Sequence, residues 1–233
     1  MPLHRLLRLS PTAALGLWHR TETIAALGAL LPAGGASYAH LLPAAGPDRQ
    51  GQWLAGRVLA HAVAAELWPG PPGLLVQNEA VTGRPYLAGP GLPAGAVVSL
   101  SHSGAWAAVL LATAGRAGVD VELVRGKARR IAARFLSPEE IAAAQAVPEA
   151  AAETHFTLLW SAKETLYKLA ARRGIIFKEQ LLLEPCAPAP VGEIVAVLRL
   201  AEGQTRHRIC YFQPAADHVL TYCWEPSTAA FGL

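Results

Sequence analysis

This sequence predicts an α+β fold with small antiparallel sheets, divided into two comparable lobes at residues 1–116 and 117–233. Three observations carry that prediction. Residues 48–67 and 151–172 have the length and apolar spacing of long helices. The other apolar runs are short, strand-like and separated by Gly/Pro loops. Finally, Ala114-Gly115-Arg116-Ala117 is a plausible crossing point near the middle of the chain.

The elements follow in order. Ala14-Leu15-Gly16-Leu17-Trp18 reads as a first strand, and 24–47 as turns with a small helix, because Pro32, Gly34, Gly35, Pro43, Gly46 and Pro47 interrupt it. The helix at 48–67 carries an apolar stripe of Trp53, Leu54, Val58, Ala62 and Leu67, stopped by Pro69-Gly70-Pro71-Pro72. Strands are expected at 74–76, 96–101 and 105–113, then at 118–123, where Val119, Val121 and Leu123 alternate with Asp120 and Glu122. A helix near 131–135 precedes one at 138–146, whose start has an N-cap serine, Ser137, a first-turn proline and early acids. The long helix at 151–172 is expected to close at Gly174. Strands at 181–183, 193–200, 207–213 and 218–224 complete the chain.

Composition narrows the class. A chain of 233 residues with 52% hydrophobic content can bury a core, which argues against disorder. Cys186, Cys210 and Cys223 are dispersed and odd in number, so they fit reduced thiols in a cytoplasmic protein. Neither cysteine nor histidine spacing suggests zinc. The apolar stretch 13–18 is too short for a signal peptide, and 24–47 is too broken to cross a membrane. A net charge of +3 without a nucleic-acid motif argues against nucleic acid as partner.

Two segments carry the chemistry. On the strand, Asp120 and Glu122 project from one face about 6.6 Å apart. In Trp160-Ser161-Ala162-Lys163-Glu164-Thr165-Leu166-Tyr167-Lys168, residues Trp160, Glu164 and Lys168 recur at helical spacing with Lys163 alongside, so the acid and both lysines are expected in one site. Three carboxylates repel one another unless a cation relieves them, and Mg2+ takes hard oxygen ligands of this kind while leaving positions for phosphate. Taken singly, the same residues would serve as a solvated strand face and a surface ion pair.

The chain resembles the 4'-phosphopantetheinyl transferases of the surfactin-synthetase type. Five ordered motifs carry the likeness: Gly83-Arg84-Pro85-Tyr86; Val98-Ser99-Leu100-Ser101-His102-Ser103-Gly104; Gly118-Val119-Asp120-Val121-Glu122; Arg134-Phe135-Leu136-Ser137-Pro138-Glu139-Glu140; and Trp160 to Lys168. The resemblance implies two similar lobes with the site in the cleft between them. It implies transfer of the 4'-phosphopantetheine arm of coenzyme A to a serine of an acyl or peptidyl carrier protein, releasing adenosine 3',5'-bisphosphate. Asp120, Glu122 and Glu164 would anchor Mg2+, with Mn2+ as an alternative ion. Glu164, or a water it holds, would be the general base, although a metal-coordinated water passing its proton to Glu122 is an alternative. Lys168 would stabilise the leaving phosphate and Lys163 would balance phosphate charge on the other side. Ser101, His102 and Arg84 would contact the coenzyme's 3'-phosphate. Between residues 21 and 48 there is no lysine or arginine, unlike the resembled enzymes, leaving His40 and then Arg49. Arg125, Lys127, Arg129, Arg130 and Arg134 form a basic run that either steers an acidic carrier protein or is a solvated face. A monomer is expected by resemblance. Two rival readings use the same residues: a metal-dependent phosphohydrolase or nuclease, and a non-catalytic carrier-protein binding module.

Overall fold

A computed structural model describes residues 3–31, 38, 45–68 and 73–227. The chain forms two compact units, one of Met1–Ala117 with Trp224–Leu233 and one of Gly118–Cys223. The last residues thus differ from the expectation that everything beyond 116 forms one lobe. The reason is local: Arg116 pairs with Glu225 at 2.5 Å, and Gly115 lies so close to the Glu225 carbonyl that a Cβ there would stand 2.0 Å from its oxygen.

In the first unit, β1 (Leu3–Ser10), β2 (Ala13–His19), α1 (Ile24–Leu30), α2 (Pro47–Leu67), β3 (Leu75–Asn78), β4 (Pro85–Ala88), β5 (Val97–Ser103) and β6 (Trp106–Ala112) follow in order. The antiparallel sheet runs β1-β2-β6-β5, and β3-β4 forms a separate hairpin. Helix α2 lies across β6, β2 and β5, with Leu59, Val63, Val109 and Leu111 in its core. Two strands, β1 and β4, have no counterpart in the sequence reading. Strand β1 is a half-exposed edge whose register shifts at Leu3/Arg5 and Arg8/Ser10, which erases the alternation a strand would show. Strand β4 is four residues long and starts at a proline.

The second unit contains β7 (Arg116–Leu123) from Gly118 onward, α3 (Lys127–Arg130), α4 (Ala132–Phe135), α5 (Pro138–Gln145), α6 (Glu149–Ala170), α7 (Phe177–Gln180), β8 (Leu181–Leu183), β9 (Val191–Leu200), β10 (Gly203–Ala215) and β11 (His218–Glu225) as far as Cys223. Its sheet runs β7-β11-β10-β9-β8. Helix α5 begins with a full capping box between Ser137 and Glu140. Helix α6 ends at Ala171, which takes the left-handed conformation at φ 54 itself, so the closure falls three residues before Gly174. One side of α6 sends Phe156, Leu159, Leu166 and Leu169 into a core with Phe135, Leu181, Ile194 and Ile209. Another side is polar and buried: Ser161 and Thr165 bond Thr221 of β11, with hydroxyl contacts of 2.9 and 2.7 Å. What remains is a half-buried ridge of Trp160, Glu164 and Lys168. No described helix is long and apolar enough to cross a membrane.

Candidate active site

The second unit brings β7 against α6 through a glycine. A Cβ on Gly118 would stand 2.2 Å from the Thr165 carbonyl oxygen and 3.1 Å from the Leu169 nitrogen. Only a residue without a side chain lets strand and helix backbones approach this closely. The residues that follow Gly118 on the strand therefore meet the half-buried ridge of the helix.

Four predicted residues come together there. Lys168 Nζ donates to Asp120 Oδ1 at 2.8 Å and to the Val119 carbonyl at 2.9 Å, holding the buried Asp120 against the helix. Trp160 Nε1 donates to Glu122 Oε1 at 2.8 Å, and the Trp160 ring is fixed by stacking on Phe177 and edge contact with Phe135. Glu164 lies between these groups electrostatically. Burial, and then the charge of Asp120 opposed by Lys168, with Glu122 adding to the rise, push its carboxyl up to about 7. Three acids and one lysine share a site in which at least one acid resists ionisation. Trp160 and Gly118 are parts of the expected motifs, yet their tasks, orienting Glu122 and admitting the helix, emerge only from packing.

Lys163 does not join them. Its side chain is fully buried, and Nζ donates to Glu140 Oε2 at 2.6 Å, to the Phe135 carbonyl at 2.8 Å and to the Phe177 carbonyl at 3.3 Å. Helical geometry explains the divergence: Glu164 and Lys168 lie about 40° apart around the axis, whereas Lys163 and Lys168 lie about 140° apart. Glu140 also accepts from the backbone N–H groups of Ser137 and Leu183, both at 2.7 Å. The pair clamps α5, α6 and β8 together. The expectation that both lysines point into one site is corrected on this geometry.

Arg84, Ser101 and His102 belong to the first unit. Arg84 is exposed on the β3–β4 turn, directly after Gly83, whose φ is 73. Ser101 and His102 are half-buried on the edge strand β5, in register with Ala108 and Ala107. His40, one of the two cations named for the 21–48 region, lies outside the described residues. Arg49 is on α2.

The basic run is only partly available for steering. Arg129 is engaged by both oxygens of Glu149 at 2.5 and 3.0 Å, while Arg125 and Lys127 line a small cavity of about 70 Å³ beside Glu122 and Trp160. A cavity of about 630 Å³ between α5, α6 and β8 touches Glu140 but none of the four clustered residues.

Among the described residues, no three His, Cys, Asp or Glu side chains form a ready-made metal cluster. The donor set nevertheless suits a hard divalent cation. Asp120, Glu122 and Glu164 are all oxygen donors, and the Glu164 carboxyl is raised first by burial and then by the charge of Asp120, both of which a bound cation would offset.

The family model described as the 4'-phosphopantetheinyl transferase superfamily matches residues 116–223. That of the 4'-phosphopantetheinyl transferase N-terminal domain matches residues 37–112. No curated protein matches this chain.

Proposed function

Because the chain belongs to the 4'-phosphopantetheinyl transferase superfamily, we propose that it moves the 4'-phosphopantetheine arm of coenzyme A onto a serine hydroxyl of an acyl or peptidyl carrier protein. The product alongside the holo carrier is adenosine 3',5'-bisphosphate. The observation that carries this reading is the convergence of Asp120, Glu122, Glu164 and Lys168, made possible by the approach of β7 to α6 at Gly118.

The reaction forms a bond from the serine oxygen to the phosphorus that bears the pantetheine arm and breaks that phosphorus's bond to the bridging oxygen. Glu164, directly or through one water, accepts the serine proton. In the metal-free protein burial, and then Asp120, draw its carboxyl up to about 7, and a divalent cation held by the three acids would lower it and favour the ionised, proton-accepting form. Lys168, already oriented by Asp120 and the Val119 carbonyl, keeps its third N–H donor for the phosphate that leaves. Asp120, Glu122 and Glu164 would hold Mg2+, or Mn2+ in its place, which when bound polarises the pyrophosphate oxygens. In this reading Ser101, His102 and Arg84 contact the 3'-phosphate, and Lys163 has no substrate contact.

By resemblance, the reading extends to a surfactin-synthetase-type enzyme working as a cytoplasmic monomer on an acidic carrier. The three cysteines are free thiols, as suits a reducing compartment, and for an acidic carrier Arg125 and Lys127 present charge at the cavity beside Glu122 while Arg130 is exposed on α3. The test is intact-protein mass spectrometry of apo carrier proteins incubated with this protein, coenzyme A and Mg2+. Metal-dependent gain of one phosphopantetheinyl group is expected. Hydrolysis of coenzyme A without carrier modification would indicate a phosphohydrolase, and carrier binding without turnover a binding module.

A further inference from the structure

Arg57, on α2, is a buried cation that the functional reading leaves without a task. It is 5% exposed, and among the described residues no carboxylate pairs with it. Its guanidinium lies 3.9 Å from the centre of the Trp53 ring, and Nη1 reaches the Trp53 carbonyl at 3.5 Å. Burial draws its pKa down to about 10. A buried arginine without an acid is costly, so its remaining contact is informative. That contact runs from Nη2 to Asn78 Oδ1, at the end of β3.

Asn78 passes the constraint on. Arginine only donates, so it holds the amide oxygen of Asn78 inward and turns the NH2 group outward. Nδ2 then donates to the Gly83 carbonyl at 2.7 Å. The next residue is Arg84, whose N–H donates to Thr82 Oγ1 at 3.0 Å and whose carbonyl accepts from Glu79 N at 2.9 Å. The β3–β4 hairpin is a separate two-stranded sheet, held in the core at its β3 end by Leu74 and Val76, whereas residues 78–84 of its turn are exposed. Arg57 ties its turn to α2, which the core holds through Leu59 and Val63.

We propose that Arg57 and Asn78 are positioning residues, a relay from the core of the first unit that sets the Gly83–Arg84 turn so that Arg84 meets the 3'-phosphate of coenzyme A. The relay rests on the assignment of Arg84 as a phosphate contact. It supplies rigidity, not charge, to the coenzyme.

Calorimetric titration of the wild-type protein, Asn78→Ala, Arg84→Ala, the double variant and Arg57→Lys with coenzyme A and with its 3'-dephospho form tests the relay. Asn78 is exposed, so its alanine variant keeps the fold even where an Arg57 variant does not. Asn78→Ala should weaken coenzyme A about tenfold and the dephospho form less than twofold, and the double variant should be no weaker than Arg84→Ala alone. Equal weakening toward both coenzymes, or an unchanged preference for the 3'-phosphate, would overturn the relay while leaving the functional reading intact. A wild-type protein that binds both forms equally would overturn the Arg84 assignment and the relay with it.

Discussion

Substituting Lys163 with methionine separates the two roles that the sequence and the structure suggest for it. The change removes a fully buried ammonium and leaves Glu140, 8% exposed, without its cation. It also strips the donor from the carbonyls of Phe135 and Phe177. Breaking one side of a buried pair costs about 3 to 5 kcal/mol. The lower end applies here, because Glu140 keeps its bonds from Ser137 N and Leu183 N. For a chain of this size, about 3 kcal/mol lowers the Tm by roughly 10 °C. Replacing Glu140 by methionine as well removes the stranded charge, so the double variant should be more stable than the two single losses sum to. Thermal denaturation followed by circular dichroism reads these differences. Transfer to an apo carrier, assayed well below each midpoint, should fall only several-fold in Lys163→Met. A variant with wild-type Tm and a hundredfold loss of transfer would refute the reasoning and return Lys163 to the phosphate.

Gly118→Ala forces a Cβ to within 2.2 Å of the Thr165 oxygen, about 1 Å inside normal contact. A displacement of that size should cost about 2 kcal/mol of stability and about a hundredfold in transfer rate, and wild-type kinetics would show that the strand does not set the site. The Glu164 carboxyl, about 7 when folded against an ordinary 4.5, makes metal-free protein most stable below pH 4.5 as far as this group is concerned. The folded state binds the extra proton between those values, so up to about 3 kcal/mol is lost as pH rises toward and through 7. Added Mg2+ should consequently raise the Tm more at pH 8 than at pH 5.5, and an equal shift at both would contradict the shared-charge picture. Lys168→Ala should lower kcat by about 10²- to 10³-fold with a smaller change in the KM for coenzyme A; a change confined to KM would remove its leaving-group role.

Which parts of this molecule could be read in advance follows the reach of each signal. Periodicity is local, so α2, α6 and the strands β5, β6 and β10 were visible, whereas the two bulges of β1 and the proline start of β4 hid those strands. Cap chemistry is also local and identified the start of α5, but the left-handed turn at Ala171 carries no glycine to mark it. In the site, alternation paired Asp120 with Glu122, and the four-residue spacing aligned Trp160, Glu164 and Lys168. Lys163 was misplaced because adjacency to Glu164 in the chain is about 100° of rotation on a helix, and its partner Glu140 lies 23 residues away. The same distance hides Arg57, whose burial beside Trp53 and whose bond to Asn78 span helix and hairpin. Motifs therefore located the side chains that cluster at the site better than the residues that hold the surrounding elements. Glu140 and Asn78 show why: a supporting side chain is defined by the element it joins to another, and that pairing exists only once both elements have packed.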